Sequence, residues 1–344
     1  MTNGTPAKQR LSDRLFRLAG LLLVLASFAG AWLVMEFDNF RSAPLTIGDD
    51  TIPLLVRPGS SLKSVASELH ERGVLEHPKY LVLLARWLGV DAKIKAGEYA
   101  LHAGLNPEQL LQQLTVGQVL QYVLTLIEGD SFRDMMLRIA DADALEQTLT
   151  SREGEAVMEA IGYPGLHPEG RFLPETYHYP RGTRDVDVLR RAFRDMEEVL
   201  DAEWARREPD LPLTTPYEAL ILASIVEKET GLAAERPQIA GVFTRRLRKG
   251  MRLQTDPTVI YGMGEQFDGD IRFRDLRRDT PYNTYTRDGL PPTPIAMPGK
   301  DAIRAALHPA AGDSLYFVAR GDGSHQFSAT LSAHNRAVDK YQRK

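Results

Sequence analysis

The side chain best placed for acid–base chemistry is that of Glu229, near the end of a predicted helix. The capping pattern Thr-Pro-Tyr-Glu at residues 215–218 starts this helix, and we expect it to continue to Thr230 and to end at Gly231 in a left-handed cap. Three apolar residues precede the glutamate on the same helix face: Leu222, Ile225 and Val226. Because apolar surroundings raise the pKa of a carboxyl group, Glu229 suits a general acid that protonates a glycosidic oxygen. Glu227 lies about 200° around the helix, so the two carboxyl groups cannot enter one cleft.

Two later segments carry groups suited to saccharide binding. Residues 252–258 combine amide, hydroxyl and carboxylate side chains, which can hydrogen-bond sugar hydroxyl and acetamido groups. Residues 281–299 contain five prolines, and such a stiff loop can present aromatic faces to sugar rings. The alternative for the second segment is a rigid connector. The candidate binding residues in these segments are Gln254, Thr255, Asp256, Tyr282, Asn283, Thr284 and Tyr285.

The composition argues against several other chemistries. The chain of 344 residues has no cysteine, which removes disulfides, thiol nucleophiles and cysteine-ligated metals. Its eight histidines are scattered, the motifs of zinc proteases, serine hydrolases and phosphate-binding loops are missing, and we predict neither a metal nor a cofactor. His325 and His334 could reach the cleft, although single histidines are more often structural. With 42 basic and 46 acidic residues, the net charge of −4 gives no reason to expect a nucleic acid as partner.

An apolar run near the N-terminus predicts a transmembrane helix over residues 18–36. The 18 residues of its core form a helix of about 27 Å, close to the thickness of the hydrocarbon layer. Four basic residues precede it: Lys8, Arg10, Arg14 and Arg17. The positive-inside rule therefore places residues 1–17 in the cytoplasm and exports the rest of the chain. The alternative is a cleaved signal peptide, but the run is longer than usual for one and no clear cleavage site follows Met35.

Residues 37–50 are predicted to be a linker, and residues 51–118 a small α+β module. The predicted elements of the module are a strand (51–57), a helix with its apolar face starting at Leu62, a helix (78–88), a strand (96–101) and a helix capped by Asn106 and ending at Leu114. This arrangement resembles the LysM-like module of some cell-wall enzymes, and the resemblance implies affinity for N-acetylated glycans. The alternative is a spacer that packs against the catalytic part.

Residues 119–344 are predicted to form a second α+β domain, so we assign the whole chain to the α+β class with one transmembrane helix. A strand over residues 121–128 is followed by mainly helical sequence to residue 203. The aromatic-rich segment 169–179 is either a strand that lines a sugar groove or a hairpin that covers the core. The C-terminal elements are a strand (315–319), a Gly-Asp-Gly turn and a helix (331–341).

Five motifs resemble those of a known family: SIVEKET (224–230), GMRLQTDPTVIYG (250–262), YNTY (282–285), GLPP (289–292) and HP (308–309). In order and spacing they are similar to the YceG-like family, the membrane-anchored endolytic murein transglycosylases, over essentially the whole chain. The resemblance implies that residues 119–344 form the catalytic domain, that Glu229 is catalytic and that Tyr261 belongs to the substrate-binding set. Arg171 and Arg245 depart from the family pattern, which usually has an aromatic residue and an asparagine at these positions.

The same resemblance implies lytic cleavage of the MurNAc–GlcNAc bond within peptidoglycan strands at the bacterial inner membrane, with the catalytic part in the periplasm. We expect protonated Glu229 to donate to the departing GlcNAc O4 while the MurNAc acetamido group assists at C1. The resulting carboxylate then takes the proton of the 6-hydroxyl as a 1,6-anhydro ring closes. Two alternatives stay open: a water-using muramidase with Asp256 as its second carboxylate, and an inactive peptidoglycan-binding scaffold. Cell-wall synthases are candidate partners, but no sequence feature identifies one.

Overall fold

The computed structural model describes residues 7–342, with side chains from residue 16 onward. The chain separates into two compact units, and the boundary lies between Gln121 and Tyr122, three residues after the predicted position. In the described part of unit 1 the elements are α1 (Ala7–Ser42), β1 (Ile52–Val56), α2 (Leu62–Glu71), α3 (Pro78–Trp87), β2 (Gly97–Leu101) and α4 (Pro107–Val116).

Helix α1 is long and apolar enough to cross a bilayer. The candidate span is Phe16–Ser42, and the most apolar 18 residues within it have none buried inside the protein. The predicted cytoplasmic segment 1–17 lies largely outside the described residues, since only its backbone from residue 7 and its last two side chains are described. The helix is therefore compatible with the predicted span.

The predicted linker 37–50 is in part the end of α1. Phe37 and Phe40 point their rings at Tyr80, with centroid distances of 6.3 and 5.5 Å. Leu45 is buried in the same core. The polar composition of this segment suggested a tether, but its few apolar residues pack the segment onto unit 1.

The remainder of unit 1 follows the predicted order of strands and helices. Strands β1 and β2 pair antiparallel, with Ile52 opposite Leu101. Asn106 caps α4 through reciprocal hydrogen bonds with Gln109, as the sequence predicts. The helix ends two residues later than expected, at Val116.

Unit 2 is mainly helical, with three two-stranded sheets formed by the described residues. Its elements are β3 (Gln121–Thr125, which crosses the boundary), α5 (Phe132–Ala140), β4 (Leu145–Glu146), α6 (Gly154–Ile161), β5 (Thr176–Pro180), β6 (Thr183–Arg184), α7 (Asp185–Ala205), α8 (Pro216–Glu229), α9 (Arg236–Arg248), α10 (Asp256–Met263), α11 (Phe273–Arg277), α12 (Lys300–Leu307), β7 (Tyr316–Ala319), β8 (His325–Ser328) and α13 (Leu331–Tyr341). Strand β3 pairs with β5, β4 runs parallel to β6, and β7 runs antiparallel to β8. The mixed helix-and-strand class is as predicted.

The aromatic-rich segment 169–179 covers the core. Tyr177 and Tyr179 occupy alternate positions of β5, and both are buried with Phe172 in one apolar cluster. These three aromatic side chains therefore face the interior, as in the second of the two predicted alternatives.

Helix α8 is the central element of unit 2. All eight residues from 219 to 226 are buried, because α7, α9 and α12 pack around the helix. The sequence predicted one apolar stripe, whereas the helix is enclosed around its whole circumference. Glu229 is its last residue, so its carboxyl group sits where a buried helix meets a polar loop.

Both predicted ends of α8 need correction. At the start, the Thr215 hydroxyl accepts a hydrogen bond from the Glu218 amide, but the Glu218 carboxylate turns to the amide of Thr214 instead of completing the capping box. At the other end, Thr230 is already extended, with φ −147°. Its hydroxyl accepts a hydrogen bond from the amide two residues later, and this local turn replaces the expected left-handed cap at Gly231.

Replacing Ser224 by alanine is expected to destabilise unit 2. The buried hydroxyl accepts a hydrogen bond from the Ile295 amide at 3.0 Å and donates to the Ile221 carbonyl at 2.7 Å. Alanine leaves the Ile295 amide without a partner, which lowers the free energy of unfolding by about 1–3 kcal/mol. Urea unfolding of the detergent-solubilised chain measures this loss. The signal is the fluorescence of Trp204 in a chain whose other two tryptophans are replaced by phenylalanine.

The matched control is Ser332→Ala on α13, where the serine is exposed. This change should alter the unfolding free energy by less than about 0.5 kcal/mol. Equal losses in the two variants would contradict the role assigned to the Ser224 hydroxyl.

Candidate active site

Glu229 opens onto a cavity of about 480 Å³ in unit 2. Besides the end of α8, the walls come from residues 253–256, strands β7 and β8, and helix α13. Four of the predicted binding residues line the cavity with the glutamate: Gln254, Thr255, Asp256 and Tyr285. Segments that are distant in sequence thus bring the candidate acid and half of the candidate binding set together.

Burial controls the charge of the Glu229 carboxyl group. Its pKa is raised to about 7, mainly by desolvation and to a smaller extent by the nearby negative charge of Asp256. The Thr255 hydroxyl, which donates a hydrogen bond to Glu229 Oε1, and the positive charge of Arg246 act in the opposite direction. The acid form is therefore populated near neutral pH.

A short hydroxyl network fixes the position of Thr255. The Thr255 amide donates to the Thr284 hydroxyl oxygen at 3.1 Å, and this oxygen lies 2.9 Å from the hydroxyl of Thr258. All three threonines are buried. Thr284, predicted to bind substrate, thus supports the residue that hydrogen-bonds the acid and does not line the cavity.

Gln254 has an unusual backbone conformation. Its φ of 51° lies in the left-handed region, which costs a non-glycine residue on the order of 1 kcal/mol. The Gln254 amide donates to the Thr284 carbonyl at 3.1 Å, and its side-chain oxygen accepts a hydrogen bond from Arg246. The conformation turns an exposed amide side chain toward the cavity mouth.

Arg246 is a site residue that the sequence analysis missed. Its buried guanidinium donates to the carbonyls of Leu253 at 2.8 Å and Leu315 at 2.6 Å, so it ties the 253–256 segment to β7. It also lies over the Tyr316 ring, 5.1 Å from the centroid. One sequence signal could have found it: Arg246 continues the apolar face of α9 formed by Ile239, Val242 and Phe243.

Tyr285 and Asp256 form a polar pair on the cavity wall. The Tyr285 hydroxyl donates to Asp256 Oδ1 at 2.5 Å. Burial, together with this hydrogen bond and the carboxylate charge, raises the pKa of Tyr285 well above its usual value. The hydrogen bond thus orients Asp256 beside the candidate acid.

Tyr261 and Tyr282, also predicted to bind substrate, point elsewhere. Tyr261 donates its hydroxyl hydrogen to Glu169 Oε2 at 2.9 Å, and its ring contacts that of Tyr282, with 4.8 Å between centroids. Glu169 also accepts a hydrogen bond from the Phe132 amide at the start of α5, and burial raises its pKa to about 7. The Tyr282 hydroxyl lies 2.9 Å from that of Thr293.

Asn283 is committed to the backbone at the end of α11. Its Nδ2 group donates to the carbonyls of Asp275, Leu276 and Arg278 at 3.3, 3.1 and 2.7 Å. Its Oδ1 accepts a hydrogen bond from the Tyr285 amide at 2.8 Å. The side chain is buried, so in this structure it positions Tyr285 and does not line the cavity.

Glu227 points away from the cavity, as its position on the helix predicts. Arg236 Nη2 lies 2.8 Å from its Oε1, and the Gly299 amide donates to its Oε2 at 2.9 Å. Burial raises its pKa, while these two partners lower it. Glu227 therefore forms a buried ion pair with Arg236, and its hydrogen bond from the Gly299 amide holds the proline-rich loop.

Two histidines line the far side of the cavity. His325 places its Nδ1 2.7 Å from Glu235 Oε2, and its amide donates to Glu235 Oε1 at 2.9 Å. His334 stacks on Tyr316, with 5.2 Å between centroids. Among the residues that the structure describes, no three histidine, cysteine, aspartate or glutamate side chains cluster as a metal site.

The two residues that depart from the family pattern have structural contacts outside the cavity. Arg171 lies over the ring of Tyr217 at 4.5 Å and pairs with Glu197 at 3.3 Å. Arg245 donates to the carbonyls of Ser314 and Ala310 at 2.8 and 2.9 Å. Neither lines the cavity that contains Glu229.

Curated proteins similar to this chain are named endolytic murein transglycosylases. The chain is 32% identical over 309 residues to one from Bacillus subtilis, with 85% of each chain covered. It is 26% identical over 317 residues to one from Streptococcus pneumoniae, with 82% of this chain covered. The chain spans only 57% of the length of that streptococcal protein.

The fold and the sequence profile agree with these relatives. The crystal structure of a YceG-like protein from Listeria monocytogenes has 28% sequence identity and a TM-score of 0.51, with 84% of this chain and 99% of that chain covered. The profile of the YceG-like family matches residues 54–340, nearly all of the chain beyond α1. The resemblance predicted from the motifs is confirmed, and the chain belongs to the YceG-like family.

Proposed function

We propose that this protein is an endolytic murein transglycosylase, which cuts the MurNAc–GlcNAc bond within peptidoglycan strands. The similar curated proteins carry this name. The observation that carries the proposal is the Glu229 carboxyl group, which lines a polar cavity and has a pKa raised to about 7 by burial. A carboxyl group with such a pKa can act as a general acid at neutral pH.

In the first half of the reaction, protonated Glu229 donates to O4 of the departing GlcNAc. Because the Thr255 hydroxyl donates to Oε1, that oxygen is an acceptor and the acidic proton is on Oε2. The C1–O4 bond breaks and the electron pair leaves with O4, which takes the proton. The acetamido oxygen of MurNAc stabilises the developing positive charge at C1.

In the second half, the Glu229 carboxylate formed in the first half removes the proton of the MurNAc 6-hydroxyl. O6 then bonds to C1 and closes the 1,6-anhydro ring, while Glu229 returns to its protonated state. The reaction consumes no water and, as written, uses no metal and no cofactor. One buried carboxyl group supplies both proton transfers.

We also propose a division of labour among the predicted binding residues. Those that line the cavity would contact the glycan: Gln254, Thr255, Asp256 and Tyr285. Two of the other four, Asn283 and Thr284, would position Tyr285 and Thr255 from behind. Tyr261 and Tyr282 would support unit 2 away from the cavity. The support for this division is that none of these four residues lines the cavity.

A water-using muramidase is the second candidate, and it rests on Asp256. This carboxylate lines the same cavity and its charge acts on Glu229. In a hydrolase Asp256 would assist at C1, and water would replace O6 as the nucleophile. The Tyr285 hydrogen bond to Asp256 favours a binding role, because it occupies one of the carboxylate oxygens.

For the cellular setting, we propose a single-pass protein of the bacterial inner membrane. Residues 18–36 would span the membrane, with 1–17 in the cytoplasm and the catalytic domain 119–344 in the periplasm. The apolar α1 supports the span. We propose that residues 51–118 act as a LysM-like glycan-binding module, supported by the β-α-α-β order of its elements. Cell-wall synthases are proposed as neighbours.

The rate of bond cleavage should fall as the pH rises through about 7. The starting state needs protonated Glu229, whose pKa is raised to about 7 by burial, and deprotonation removes the acid. Replacing Thr255 by valine removes a hydrogen bond that lowers this pKa, so the fall should move to higher pH. The rate of muropeptide release from purified sacculi, measured across pH, tests both expectations.

The same change outside the cavity, Thr286→Val, should leave the pH profile where it is. Thr286 donates to Asp279 and does not line the cavity. A rate that also falls at low pH, because a second carboxylate must be ionised, would contradict the single-carboxyl mechanism. A pH profile of Thr255→Val that does not move would contradict it as well.

Glu229→Gln should lower the rate of muropeptide release by about 10²- to 10⁴-fold, because it removes the transferable proton. The folded state should persist, since the glutamine oxygen can still accept the Thr255 hydrogen bond. The matched control is Glu265→Gln, in which the side chain is 77% exposed and lies outside the cavity. A Glu229→Gln rate close to that of this control would disprove the assignment.

A further inference from the structure

Helix α1 is joined to the rest of unit 1 by side-chain packing. Phe37 and Phe40 both contact the ring of Tyr80 on α3. On the adjacent side of the helix, Arg41 Nε lies 3.2 Å from the Glu108 carboxylate on α4. Because two helices of the module hold the last turns of α1, the module has a fixed position relative to the apolar segment of α1.

Helix α3 exposes large apolar side chains next to that apolar segment. Leu83 is 53% exposed and Trp87 is 65% exposed, and they lie one turn apart on the same face of this ten-residue helix. Both line an open groove of about 810 Å³ between α3 and α1. The apolar residues of α1 that line the other side of the groove are Gly30, Ala31, Val34, Met35 and Phe37.

The position of this groove across the bilayer follows from the residues of α1 that form it. Residues 30–35 are the last turn and a half of the predicted span, so they lie near the boundary between hydrocarbon and headgroups. Leu83 and Trp87 face them and therefore lie at the same depth. The tryptophan indole, apolar with one polar N–H, is enriched at this level of membranes.

The charges around the groove match the same boundary. Arg41, beyond the end of the predicted span, holds its guanidinium 5.9 Å from the centre of the Trp87 ring and pairs at 3.4 Å with Asp38, which also lines the groove. Lys79 and Arg86 are exposed on the side of α3 that bears Leu83. Cations at the edge of an apolar face are suited to phospholipid phosphates.

From these observations we propose that the exposed face of α3, formed by Leu83 and Trp87, inserts into the phospholipid headgroup region of the bilayer that α1 spans. The contact adds a second attachment to the membrane and holds unit 1 against its surface. The inference rests on the proposed membrane anchor. A second protein chain on the same face is the competing occupant.

Tryptophan fluorescence in the full-length protein tests this contact. The chain has three tryptophans, so replacing two of them by phenylalanine gives variants with only Trp87 or only Trp32. Each variant is reconstituted in phosphatidylcholine vesicles with lipids brominated close to the headgroup or near the chain end. We expect Trp87 to lose fluorescence with the shallow bromines and much less with the deep ones, while Trp32 reports α1 itself.

A pair of variants checks that the face of α3 is responsible. In the Trp87 variant, Leu83→Asp should reduce the quenching, because it places a charge in the contact. The matched control is Val116→Asp, because Val116 at 54% exposure is as exposed as Leu83. Val116 lies about 12 Å along α4 from Glu108, the residue that contacts α1, so this change should leave the quenching unchanged.

The outcomes separate the inference from the anchor. If Trp32 is quenched and Trp87 is not, the anchor stands and the contact of α3 with lipid is wrong. If neither is quenched, the anchor fails and the inference fails with it. If the quenching of Trp87 appears only when the protein is diluted in lipid, a second copy covers this face at higher density, and the proposal is overturned.

Discussion

The active site depends on the removal of one carboxyl group from water. Glu229 ends a helix that is buried on all sides, and desolvation raises its pKa to about 7. Glu227, two residues earlier, is buried as well, but Arg236 and the Gly299 amide compensate its charge directly. Among the residues that the structure describes, the Glu229 carboxylate has the Thr255 hydroxyl as its only hydrogen-bond partner, so the proton stays available. The glutamate without a cationic partner is therefore suited to be the acid, and the ion pair with Arg236 makes the other a structural residue.

The position of this acid is maintained by segments that carry no chemistry themselves. Thr284 binds the Thr255 amide, and Arg246 binds the carbonyl oxygens just before the left-handed residue Gln254. A loop whose backbone amides and carbonyls are held in this way keeps the Thr255 hydroxyl directed at the carboxyl group. The strain at Gln254 is sustained because its amide and its side chain both have partners.

Local patterns made much of this structure predictable, and distant contacts account for the rest. The helix that carries Glu229, the Asn106 cap and the C-terminal helix follow from periodicity and capping residues within a few positions of one another. The pairing of His325 with Glu235 joins residues 90 positions apart, which no local pattern encodes. Asn283 was predicted to bind sugar because an amide in a stiff loop suits that role. The structure shows why the amide is needed inside: three backbone carbonyls at the end of α11 have it as their donor.

The mass of the glycan ends released from purified sacculi by the full-length protein tests the central claim most directly. If Glu229 is both acid and base, every new MurNAc end carries a 1,6-anhydro ring, and the mass of the released glycan includes no added water. Ends heavier by one water would contradict this mechanism and make Asp256 the second catalytic carboxylate of a hydrolase.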